Sequence, residues 1–205
     1  MGEKQGAGFF FVGNRLCLDF VNTRVAEDGR LVDLLGEPSD LRWWLSEAGV
    51  FSGEEAEGAP EGWDGGPWAR RVFERALALR DDLRGIVEAI ADGELVRQGA
   101  IDEVNALLRA RPGYPQIERT PTGFEKRFRA VRDEPLGALL VPIAESSADL
   151  LAEGDPSLLK KCENPDCVLH FYDTSKNHAR RWCSMSGCGN RMKAQAHYRR
   201  RQRGV

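Results

Sequence analysis

The sequence predicts an α+β fold: a mainly helical body with short β-hairpins, then a small C-terminal module built around four cysteines. Three observations carry this expectation. Val72, Phe73, Ala76, Leu79, Leu83, Ile86, Val87 and Ile90 recur at helical spacing between Pro67 and Asp92-Gly93, which is the signature of a long amphipathic helix with a start and a stop. Two pairs of β-compatible runs flank turn-forming residues. Four of the five cysteines fall between positions 162 and 188.

Along the body, Phe9 to Val12 and Leu16 to Val21 surround Gly13-Asn14 and predict a first hairpin; a helix over Leu16 to Val21 is the other reading of the same apolar run. Ser39 is the expected N-cap of a helix carrying Leu41, Trp44, Leu45 and Ala48, which Gly49 ends. Gly58 to Pro67 holds four glycines and two prolines and predicts a surface loop. Ile101, Val104, Leu107 and Leu108 mark a shorter helix. Tyr114 to Glu118 and Phe124 to Arg129 predict a second hairpin across Thr120 to Gly123. Leu136, Leu139, Leu140, Ile143 and Leu150 predict the last helix of the body, kinked or restarted at Pro142 because proline removes a backbone donor.

Charge divides the chain. The net charge is −3 overall, but residues 156–205 hold eleven Lys and Arg against Glu163, Asp166 and Asp173, a surplus of +8 that leaves −11 for residues 1–155. Gly154-Asp155-Pro156 punctuates the change, so the expected division is a body at 1–155, able to fold alone, and a basic module at 156–205. The chain lacks an apolar run of about 18 residues, and its first eleven residues do not read as a secretory leader, so no membrane partner and a cytoplasmic location are expected.

In a reducing compartment, clustered cysteines are metal ligands before they are disulfides. Cys162-x4-Cys167 and Cys183-x4-Cys188, fifteen residues apart, can fold back to place four thiolates at the corners of a tetrahedron, the geometry zinc accepts. Asn164-Pro165-Asp166 and Ser184 to Gly187 suit the tight turns needed within each pair. Four thiolates close the coordination sphere, so one structural Zn2+ per chain is expected. His170 and His178 do not extend the paired spacing and are placed outside the ligand set. Lone Cys17 reads as a small buried hydrophobe. Between the pairs, His170 to Asp173 and Arg180 to Trp182 predict two strands. From Asn190 to Arg203 there is neither Gly nor Pro, which predicts a terminal basic helix anchored by Cys188. Knuckle, hairpin and helix in this order make a treble-clef-like four-cysteine zinc module.

The module resembles the CGNR zinc finger in Cys188-Gly-Asn-Arg191, in Cys162 to Cys167, in Phe171 to Asn177 and in Arg180 to Met185. Upstream, Gly13 to Thr23 is similar to the opening of the ABATE domain, which precedes this finger in bacterial stress-induced transcription regulators. Between Arg24 and Leu159 only the general layout supports the likeness. The resemblance implies zinc on Cys162, Cys167, Cys183 and Cys188, and DNA contact by the finger.

The residues themselves point the same way. Arg180, Arg181, Arg191, Lys193, Arg199, Arg200, Arg201 and Arg203 suit the phosphates of duplex DNA. Two other readings stand beside this one: the basic tail docks on an acidic body, or Tyr172, Trp182 and Tyr198 stack the bases of RNA. Asp19, Asn22 and Thr23 form a polar set in the body that suits a small-molecule effector, with turn or capping roles as the alternative. A zinc-stabilised interaction or sensor module is the competing function, and a homo-oligomer is left open. Phosphate-loop, zinc-protease and nucleophile-elbow motifs are missing from the sequence, so no enzyme is expected.

Overall fold

The computed structural model describes residues 8–50, 66–109, 113–120, 123–130 and 135–202. Most of the Gly58 to Pro67 segment and Arg203 lie outside them. The elements run α1 (Leu16–Val21), β1 (Arg24–Glu27), β2 (Arg30–Asp33), α2 (Pro38–Glu47), α3 (Pro67–Asp92), α4 (Gln98–Arg109), β3 (Gly113–Thr120), β4 (Gly123–Ala130), α5 (Pro135–Glu153), β5 (Leu159–Lys161), β6 (His170–Tyr172) and α6 (Asn190–Gln202). Three antiparallel two-stranded ladders pair β1 with β2, β3 with β4, and β5 with β6. Among the described residues, no helix is long and apolar enough to cross a membrane.

Leu16 to Val21 is a helix, which corrects the first expected hairpin. Gly13 and Asn14 do turn the chain, with Asn14 in the left-handed region at φ 62°, but they turn it onto the start of α1. A Cβ at Gly13 would lie 2.6 Å from that of Leu18, so only glycine lets the chain come this close. Cys17, Leu18, Phe20 and Val21 are all buried. A short helix buried on nearly every side shows no clear period to tell it from a strand.

The hairpin near the N-terminus lies further on, at β1 and β2. Asp28 and Gly29 form its two-residue turn, both with positive φ, 48° and 74°, as a turn matched to strand twist requires. Helix α2 is capped by Glu37 rather than Ser39: Glu37 and Asp40 form a reciprocal capping box around Pro38, and the Ser39 hydroxyl donates to Glu37. Helix α3 spans the stripe from Pro67 to Asp92, and Gly93 ends it at φ 70°. Helix α5 runs unbroken through Pro142. Leu140, Val141, Ile143 and Ala144 around that proline are buried, and their packing outweighs one lost backbone bond.

One core joins α1, α2, α3, α4 and α5 through Phe20, Trp44, Leu83, Val104 and Ile143, and it also takes in Leu159 and Tyr172 from the C-terminal segment. Arg80, fully buried on α3, grips Asp33 at the end of β2 with two hydrogen bonds of 2.7 and 2.5 Å and donates a third to Thr23. Burial alone would raise the Asp33 carboxyl, but the Arg80 guanidinium outweighs it and holds it below the usual range. Arg84, one turn on, donates to the carbonyl of Val21 at the C-terminal end of α1.

A four-cysteine metal centre docked on the body

Strand β5 leads into the first cysteine pair and β6 leads out of it. The Cys162 N–H donates to the Leu169 carbonyl at 2.9 Å, closing the loop, and Asn164 turns it by accepting from the N–H groups of Asp166 and Cys167. The second pair is built differently. Ser184 caps a π-helical turn, Met185–Gly189, by accepting from the Gly187 N–H. A Cβ at Gly189 would lie 2.4 Å from the sulfur of Met185, an exposed side chain that would have to swing aside. Helix α6 begins at the next residue.

The Sγ atoms of Cys162, Cys167, Cys183 and Cys188 all lie within 4.8 Å of one another, and those of Cys167 and Cys183 are 3.8 Å apart. A tetrahedron with metal–sulfur bonds of about 2.3 Å has edges of about 3.8 Å. The set therefore fits a thiophilic metal ion. The Asn164 amide and the Cys183 N–H point at the sulfurs of Cys188 and Cys162, at 3.2 and 3.3 Å, and so support negative charge there. Hydrogen bonds from the neighbouring thiols pull Cys162 down to about 2, and the same bonds push Cys167 up to about 12 and Cys183 up as well. The thiols share protons through these hydrogen bonds, and a divalent cation bound by the four sulfurs would replace them.

Strand β6 pairs with β5 and not with Arg180 to Trp182, which corrects the hairpin expected within the module. The cause is Asp173. Its buried carboxylate accepts from Lys160 at 2.7 Å, from the Ser175 N–H and hydroxyl at 3.0 and 2.5 Å, and from the Arg180 N–H at 2.9 Å. These bonds fold 173–180 into a closed loop. Burial alone would raise Asp173, but the bonds outweigh it and hold the group far below the usual range.

The cysteine module is seated on the body by the residues of the Gly13 to Thr23 motif. The Asn22 amide donates to the His170 carbonyl at 2.8 Å and accepts from the His170 N–H at 2.9 Å. Asn14 donates to the Tyr172 carbonyl, and the Tyr172 N–H donates to Gly13. The Asp155 N–H donates to the Tyr172 hydroxyl, fixing the linker. Val25 of β1 is buried in one cluster with Cys162, Leu169, Phe171, Cys183 and Cys188, and Val12 and Val32 pack against it. His170 is buried, and burial lowers it to about 4. It is not one of the four ligand-forming residues.

Asp19, Asn22 and Thr23 are buried, and each is engaged by hydrogen bonds within the fold. Asp19 accepts from the Gly13 N–H at 2.7 Å, Thr23 donates to Phe20 and accepts from Arg80, and Asn22 holds His170. A cleft of about 680 Å³ lies instead between the end of α3 and β5, lined by Asp92, Lys160, Lys161, Glu163 and Arg181 among others. Burial raises Asp19 to about 6.

The basic residues separate into two groups. Arg180 is a brace: it donates to the carbonyls of Val12, Trp182 and Cys183 and stacks 4.1 Å over the Phe171 ring. Arg181 is exposed but paired with Glu163 at 2.5 Å. Arg191, Lys193, Arg199, Arg200 and Arg201 are exposed on α6, where no residue is buried and Met192 alone is half-buried. Tyr172 is buried and Trp182 half-buried, so Tyr198, 66 % exposed, is the one aromatic of the three open to a partner.

The model of the ABATE family, described as a "putative stress-induced transcription regulator", matches residues 14–154. That of the CGNR zinc finger matches residues 159–201. No curated protein matches the chain. The motifs of both families are the parts that meet in the structure, Gly13 to Thr23 against His170 to Tyr172, and the chain belongs to the ABATE family with a CGNR zinc finger at its C-terminal end.

Proposed function

We propose that the protein is a DNA-binding transcription regulator, not an enzyme, in which one zinc ion per chain is held by Cys162, Cys167, Cys183 and Cys188. Four thiolates leave the ion no open position, so its role is to fix the π-helical turn from which α6 grows. The observation that carries the reading is α6 itself. Its thirteen residues include five cations and no acid, and none of them is buried. A basic tail docked on its own acidic body would bury one side, and this helix buries none.

In this reading Arg191, Lys193, Arg199, Arg200 and Arg201 give α6 its attraction for duplex DNA, exerted chiefly on phosphates, with Arg181 at the margin. Arg180 belongs to the scaffold. Affinity for duplex DNA should fall with salt at a log-log slope of about −0.9 per phosphate contacted. Replacing Arg199, Arg200 and Arg201 together by Ala should flatten the slope by up to about three contacts, with metal content unchanged. An unchanged slope would remove DNA as the partner of this helix. The body then serves as the regulatory part, taking a small-molecule effector.

A further inference from the structure

We propose that α6 is a sequence-reading helix for the major groove, with Arg191, Gln195, Tyr198 and Gln202 turned toward the base edges. The inference rests on the DNA-binding reading and goes beyond phosphate contact. At about 100° per residue these four positions, spaced i, i+4, i+7 and i+11, fall within a sector of about 60°. All four are exposed. Their chemistry is that of base readers: an Arg guanidinium matches guanine O6 and N7, a Gln amide matches adenine N6 and N7, and an exposed ring can meet a thymine methyl.

The flanks complete the pattern. With Arg191 set at 0°, Arg199 lies at about 80° and Arg201 at about 280°, one on each side of the stripe, while Lys193 and Arg200 lie behind it at about 190°. A helix resting on a flat anionic surface needs cations on one face. A helix lying between two walls of phosphate needs them on both sides, and α6 has them. From Arg191 to Gln202 the stripe is about 16 Å long, the length of about five base pairs at 3.4 Å each.

The root of the helix is fixed, as readout requires. Ser184 caps the turn below it, Cys188 and Gly189 in that turn are buried, and Asn190 donates back to Ser186. With the turn held by the metal centre and the metal centre by Asn22, the stripe keeps one orientation relative to the body.

The test is selection of bound duplexes from a random pool by the zinc-loaded full chain, followed by competition between the selected and a scrambled duplex at two salt concentrations. The expected result is a consensus of about five base pairs per chain. Gln195→Ala and Gln202→Ala should each lower the preference for consensus over scrambled duplex about tenfold or more. Arg199→Ala, on the flank of the stripe, should weaken both duplexes alike. These positions are exposed, and zinc content and helicity of each variant confirm its fold. Salt-sensitive binding with no enriched sequence would overturn the inference and leave the DNA-binding reading standing. Retention of single-stranded RNA or an acidic protein but of no duplex would overturn both.

Discussion

The side-chain amide of Asn22 holds the N–H and the carbonyl of His170, 148 residues away, in the manner of a neighbouring strand. Asn22 is 1 % exposed and His170 likewise, so neither backbone group can turn to water instead. Asn22→Ala should therefore cost about 2–4 kcal/mol, the penalty for stranding two buried polar groups. Urea denaturation of the full chain measures it. A cost below about 0.5 kcal/mol would show that the contact is incidental.

The body and the finger share apolar packing as well, through Tyr172 in the body core and Val25 in the cysteine cluster. Removing the metal should thus be felt in both parts. A strong chelator, or Cys183→Ser, should lower the unfolding temperature of the body and not only loosen the finger. A body truncated after Asp155 leaves Val25 uncovered and the groups of Gly13, Asn14 and Asn22 without partners, so it should be less soluble than the full chain. Calorimetry showing one body transition, unmoved by chelation or truncation, would instead bear out the independence expected from the charge division.

Much of this architecture is legible in the residues alone, and what is not has physical causes. Helices α3 and α4 and the β3–β4 hairpin follow from periodicity and turn residues, and the metal cluster from cysteine spacing. Helix α1 is open to two readings because burial on all sides erases its period. The β1–β2 hairpin carries a readable sign, Asp28-Gly29 between alternating residues, that the charged flanks Arg24, Glu27, Arg30 and Asp33 obscure. The roles of Asn22 and Arg180 are not legible. Asn22 acts on His170 and Arg180 on Val12, far away in the chain, and nothing local distinguishes a solvated amide or guanidinium from one that braces a distant carbonyl.

Arg180 offers a direct separation of scaffold from binding surface. Arg180→Ala leaves the carbonyls of Val12, Trp182 and Cys183 short of a donor and removes the stack on Phe171. The loss should be about 2–4 kcal/mol in stability, with little change in the salt slope of DNA binding wherever the protein remains folded. Arg199→Ala, on the flank of α6, should do the opposite. Equal effects of the two variants on the slope would return Arg180 to the binding surface.

Asp19 makes stability depend on pH in an unusual direction. Burial raises its carboxyl from 3.8 to about 6, so the folded protein binds this proton more tightly than the unfolded chain. The stability from that proton is fully present below the unfolded value, fades as pH rises from about 4 to 6, and is gone above. Two pH units correspond to about 3 kcal/mol, which partial solvent screening reduces to about 2 kcal/mol. Asp19→Asn keeps an oxygen for the Gly13 N–H and cannot titrate. Its stability relative to the wild type should rise by about 1 kcal/mol between pH 4.5 and pH 7, as measured by urea denaturation at both. The cysteines titrate alike in the two proteins and cancel in the difference. A constant difference across that range would mean that the Gly13 and Val12 N–H groups hold Asp19 at an ordinary value in spite of its burial.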